Sequence, residues 1–130
     1  MSCFDTVKQY VLDLQLSIVS EDPANSLLVL EDEERGLKNL VVDCEEPLLV
    51  FEQIIMPAPS NPGKMFRRLL QMNRCMVQGA FALDEEGALV LYRNSLQLTH
   101  LDPDEIEGAI EALSLVLAEF ASELIGFNQQ

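Results

Sequence analysis

The spacing of apolar positions changes several times along the chain, and each change marks an element. Phe4, Val7, Val11 and Leu14 recur at helical spacing and predict a first helix with one buried stripe. Ser2 stands where a side-chain cap is favoured, and Asp5 follows three residues later, where a carboxylate suits the positive end of the helix dipole. Short apolar runs come next. Leu16 to Ser20, Leu27 to Leu30, Leu37 to Val42 and Leu48 to Ile55 are rich in Val, Ile and Leu and predict four strands. Between them lie Glu21 to Asn25, Glu31 to Gly36 and Glu45 to Pro47, which combine turn residues with solvating charge. Connections this short make neighbouring strands antiparallel, because a parallel crossover needs about a dozen residues or more.

Met56 to Gly63 holds three prolines and a glycine and reads as a loop that stops the sheet. A second helix follows, with Asn61 as its expected cap and Pro62 at its first position. Phe66, Leu69, Leu70 and Asn73 line one face of this helix, and Met72 and Met76 another. A helix covering one sheet needs a single stripe, so Phe66, Leu69, Leu70, Met72, Asn73 and Met76 are expected to face a second subunit. Two further strands, Gln78 to Leu83 and Ala88 to Tyr92, are joined by Asp84-Glu85-Glu86-Gly87, where Gly87 supplies the left-handed conformation of a hairpin loop. Asp102-Pro103-Asp104-Glu105 then opens a last helix with the apolar stripe Ile106, Ala109, Ile110, Leu113, Val116, Leu117, Phe120 and Leu124. The order helix, strands, helix, hairpin, helix predicts an α+β fold, a single antiparallel sheet with three helices, in one domain spanning residues 1–130.

Composition excludes functions rather than selecting one. The chain has 130 residues, 48% of them apolar, with 22 acids against 8 bases and a net charge of −14. Such a chain repels nucleic acid and anionic membrane surfaces. The N-terminus Met1-Ser2-Cys3-Phe4-Asp5 has no signal-peptide pattern, and Glu119 and Glu123 interrupt the apolar stretch from Leu113 to Phe127, so a soluble, cytoplasmic protein without membrane insertion is expected. Cys3, Cys44 and Cys75 match no zinc or redox spacing, and reduced thiols are expected.

Catalytic and metal chemistry find little support. His100 is the one histidine, placed in a loop without a paired nucleophile. Glu31 to Glu34 lacks the alternating ligands and the glycine of a calcium loop, and there is no phosphate-binding glycine motif. No catalytic residue, metal ligand or cofactor is expected.

Charge segregation is more informative. No acid occurs from Gln53 to Leu83, whereas Lys64, Arg67, Arg68 and Arg74 fall in the second helix. From Asn94 onward there are seven acids and no Lys or Arg. The two readings are a pair of solvated helix faces, or a basic helix that meets acidic surface of the last helix or of another chain. A second candidate surface is an unpaired strand edge between residues 16 and 30, where Ile18, Val19, Leu28 and Val29 would suit an extended partner segment. Burial in the core is the other reading of those four.

Leu69-Leu70-Gln71-Met72-Asn73, then Gly79 to Leu91 with its glycine-turn hairpin, then Leu96-Gln97-Leu98 and Leu101-Asp102 opening a long helix, form a recognisable series. From about Met65 to Phe120 it resembles the type III secretion chaperone-like superfamily, in both its Tir-chaperone (CesT) and YbjN-like branches. Glu31 to Asn39, with Arg35-Gly36-Leu37, is closer to the YbjN-like branch. The resemblance implies three helices around one twisted antiparallel sheet in a small, acidic, cytosolic homodimer without cofactor. The implied function is a non-enzymatic chaperone or adaptor that holds a segment of a partner protein. The alternative is a YbjN-like regulatory or stress-response protein that binds a folded regulator. A small enzyme with an active site across a dimer interface is the remaining reading.

Overall fold

The structure is a computed structural model and describes residues 2–128. Helix α1 (Cys3–Asp13) begins as expected: the Asp5 amide donates to Ser2 Oγ at 3.2 Å, and the Ser2 hydroxyl donates to the Asp5 carboxylate at 2.8 Å. Strands β1 (Ser17–Asp22), β2 (Leu27–Asp32), β3 (Leu37–Glu45) and β4 (Leu48–Pro57) follow. Helix α2 (Gly63–Arg74), the hairpin strands β5 (Ala80–Leu83) and β6 (Leu89–Gln97), and α3 (Pro103–Phe127) complete the fold. Every neighbouring pair of strands is antiparallel, in the order β1-β2-β3-β4-β6-β5.

Several boundaries differ from the sequence reading. The cap position of α2 belongs to Pro62, not Asn61; no side chain caps this end, and the first turn closes through Phe66 N–H to Pro62 C=O at 2.9 Å. Strand β4 runs on through Met56 to Pro57, because a proline is tolerated at a strand end where its missing N–H interrupts no ladder. Strand β6 extends five residues beyond Tyr92, since Arg93 to Gln97 pair with Glu52 to Leu48 although all but Leu96 are polar. Strand β5 starts late, after Gly79 turns the backbone at φ +75°.

All three helices cover one face of the sheet. Phe4, Val7 and Val11 from α1, Met65, Leu69 and Met72 from α2, and the buried stripe of α3 join Leu28, Leu30, Val42, Leu49, Phe51 and Tyr92 in a single core. Burying a large apolar side chain is favourable by about 1.5–3 kcal/mol, so this one interface dominates stability. The Asp102 carboxylate accepts from Glu105 N–H at 3.0 Å and caps α3 as expected. Among the described residues no helix is long and apolar enough to cross a membrane.

Two polar side chains hold the sheet's irregular points. Gln53 is buried, accepts from Lys38 N–H at 3.1 Å and donates to Gly36 C=O at 3.0 Å, so it satisfies the backbone where β3 begins. In the β5–β6 hairpin Asp84 Oδ1 accepts from Ala88 and Leu89 N–H at 2.7 and 2.9 Å, and these bonds hold its carboxyl below the usual range. Gly87 takes φ +71° in that turn, as its position predicts.

Gly79 is the tightest backbone constraint. Its left-handed φ and the Tyr92 ring lying against it leave no room for a Cβ, which would fall 2.9 Å from Tyr92 Cε2. The Gly79→Ala variant is expected to lose about 2–4 kcal/mol of stability in urea unfolding, combining backbone strain with overpacking.

Candidate protein-binding surfaces

The strand order leaves two sheet edges, and they differ. Strand β5 is short, and Asn73 on α2 closes its outer side: Phe81 N–H donates to Asn73 Oδ1 at 2.7 Å, and Asn73 Nδ2 donates to Phe81 C=O at 3.1 Å. Strand β1 lies at the opposite edge and pairs only with β2. A bulge at Val19, where the register slips between Ile18↔Leu30 and Ser20↔Val29, and the Lys8–Glu21 ion pair at 3.0 Å are the devices that guard this edge against indiscriminate pairing.

The four apolar residues expected at this edge do not share one surface. Val19 is 50% exposed at the bulge, and Ile18 packs partly against the core. Leu28 is 1% exposed and belongs to the core, which removes it from the partner-binding set. Val29 is half-buried. It pairs with Val41 in β3, whereas its neighbour Leu28 points to the helices, because successive side chains alternate across the sheet.

Helix α2 corrects the expected dimer face in the same way. Leu69 and Met72 lie with Met65 at i, i+4 and i+7 and are buried in their own subunit, so they are not available to a second one. Asn73 is occupied by Phe81. Phe66 and Met76 are partly buried against the core, and Leu70 is 72% exposed. The basic residues also divide. Arg68 makes a bidentate pair with Glu123 on α3, at 2.6 and 3.2 Å, and lies 6.0 Å from the Phe120 ring, so it serves the last helix within the chain rather than a partner. Lys64, Arg67 and Arg74 are exposed.

The face of the sheet away from the helices carries Val41, Val50 and the Glu52–Arg93 pair at 2.6 Å. Asp43 sits beside them, its carboxyl raised by burial and then by the nearby Glu45 and Glu52 carboxylates, with Arg93 opposing. Burial and the neighbouring Cys3 thiol push the Cys44 thiol well above its usual range, which makes it a poor nucleophile. His100 is exposed. Among the described residues no group of three or more His, Cys, Asp or Glu side chains is placed to hold a metal ion. Sequence reasoning missed the exposed side of α3, where Leu115 is 70% exposed. The signal was present, because Leu115 falls outside the buried stripe.

The fold can now be set beside known proteins. The CesT_Tir_1 family model matches residues 1–130. The chain belongs to the CesT_Tir_1 family. A comparison with curated protein sequences finds no match. Among solved structures, YbjN from E. coli aligns with a TM-score of 0.73 at 17% identity, covering 93% of this chain and 92% of that one. A chain of the heterodimeric ExoU–SpcU complex from the type III secretion system of Pseudomonas aeruginosa aligns at 0.66 and 20% identity, covering 92% and 94%. The Yersinia pestis type III secretion chaperone SycH, in complex with a fragment of YscM2, aligns at 0.56 and 14%, covering 97% and 99%. At these identities the likeness establishes the fold, and both branches suggested by the sequence share it.

The Asn73 bridge gives a test that separates a structural role from a subunit contact. In this family member Asn73→Ala leaves the Phe81 backbone groups without partners at a part-buried site and is expected to cost about 2–3 kcal/mol in urea unfolding. The dissociation constant of any dimer should stay unchanged when measured under folded conditions by sedimentation.

Proposed function

We propose that this chain is a non-enzymatic protein-binding module, a homodimeric chaperone or adaptor that holds a segment of a partner protein along the edge of β1. Family membership supports the general reading, and the solved relatives include a secretion chaperone bound to a protein fragment. The observation that carries the site is the asymmetry of the edges: Asn73 closes β5, whereas β1 pairs on one side only. An added strand takes its affinity from backbone hydrogen bonds and its specificity from the side chains beside it, here the exposed Val19.

A second reading rests on the exposed stripe of α2. Lys64, Arg67 and Arg74 surround Leu70, a surface that suits a folded acidic protein and fits the regulatory alternative. The second subunit would use what remains of the expected interface, namely Leu70 with parts of Phe66 and Met76.

Two measurements test the proposal. Light scattering at high micromolar concentration should give twice the 14.6 kDa chain mass, and a single chain mass contradicts the homodimer. Val19→Lys should reduce recovery of the partner from the native organism at least tenfold while changing stability by no more than about 0.5 kcal/mol, as expected of a half-exposed site. Undiminished recovery by this variant, together with loss in Arg67→Glu/Arg74→Glu, moves the partner to α2 and favours the second reading.

A further inference from the structure

Cys3 and Cys44 lie far apart in the chain and meet in the fold. Cys3 is the first residue of α1, and Cys44 lies near the end of β3, on the same face of the strand as the buried Val42. Both are partly buried against the core, and the Cys3 thiol is within hydrogen-bonding reach of the Cys44 thiol. A cavity of about 260 Å³ opens beside Cys3, with Val7, Leu98 and Leu101 on its walls. Glu46, two residues past Cys44, brings the end of β3 to the same cavity. Cys75 stands apart from this pair: it is exposed at the end of α2, where its thiol donates to Gln71 C=O at 3.8 Å. No preceding turn restricts the Cys3 side chain at the start of α1, so rotation about χ1 is free to carry its sulfur from contact to bonding distance.

We propose that Cys3 and Cys44 form a reversible disulfide when the protein meets a hydroperoxide, and that this bond locks α1 to the sheet. The Cys3 sulfur, reached through the cavity, attacks one peroxide oxygen and becomes a sulfenic acid, while the other oxygen leaves as water. Cys44 then attacks the Cys3 sulfur, the S–O bond breaks, and the hydroxyl leaves with the Cys44 proton as a second water. The two thiols together give up two electrons, and the peroxide takes them. Burial keeps the Cys44 thiol protonated and slow toward peroxide itself, so Cys3 reacts first. Position supplies what Cys44 lacks in reactivity, because a sulfur held in contact reacts as an intramolecular partner. Exchange with a dithiol reduces the bond again, as suits a redox-sensing pair in a reducing compartment. The bond closes residues 3–44 into one loop that holds α1, β1, β2 and nearly all of β3. Such a cross-link removes freedom from the opened chain, so the oxidised protein opens less readily.

Peptide mapping of the full chain after treatment with hydrogen peroxide, without reductant, tests the pair. The expected product is a Cys3 peptide joined to a Cys44 peptide within one chain, and dithiothreitol should separate them. Cys75→Ser should form the same bond and lose the mass of two hydrogens, whereas Cys3→Ser and Cys44→Ser should not form it. The oxidised chain should unfold in urea at a midpoint about 1 M or more above that of the reduced chain. Recovery of Cys3 and Cys44 as separate thiols or sulfinic acids, or of either joined to Cys75 instead, overturns the pair. A bond that forms and leaves the urea midpoint unchanged overturns the lock. Mapping of the wild-type chain reads the pair directly, so the test stands even where a serine variant fails to fold.

Discussion

One core between three helices and a single face of a six-stranded sheet sets the limits for everything else the molecule can do. Leu28, Leu30, Val42, Leu49 and Phe51 are kept from water by α1, α2 and α3 together, and among the described residues no helix remains for the opposite face or for the β1 edge. Those leftover surfaces are therefore the places where a partner can be met. The protein treats them differently. Asn73 closes the β5 edge with two hydrogen bonds, Glu52 and Arg93 place a charge pair on the outer face, and β1 is guarded only by a bulge and flanking charge. A bulge discourages a long, flat pairing while it leaves a short segment room to add on.

Charge distribution works on a longer range than these contacts. The net charge of −14 repels other acidic molecules at long range, and four of the eight basic residues, Lys64, Arg67, Arg68 and Arg74, are gathered on α2. Arg68 bridges α2 to α3 through Glu123, while the buried Met65, Leu69 and Met72 set how α2 lies on the sheet. An ion pair of this exposed kind adds little stability.

Local patterns carried much of this architecture in the sequence. Ser2 and Asp102 mark their helix starts because capping is decided by the few residues around it. The four early strands are legible from their Val, Ile and Leu runs, and Gly87 from the turn it must make. The β6 extension was hidden because Arg93, Asn94 and Ser95 are polar, and their pairing with β4 is set by a strand distant in sequence. Leu69 and Met72 were assigned to a partner because two overlapping apolar stripes cross α2; Met65, one turn earlier, identifies the buried one. Strand order is the least local property. That β1 lies at an edge matches the expectation from the chain, but that Leu28 is core while Val19 is exposed depends on register and the bulge.

Hydrogen exchange of the protein with and without its purified partner segment shows whether that segment adds to the sheet at β1. An added strand protects backbone amides along the edge it joins. New protection is expected in residues 17–22, with smaller changes in β2 behind it. Protection confined to residues 64–74, with β1 exchanging as in the free protein, would contradict it.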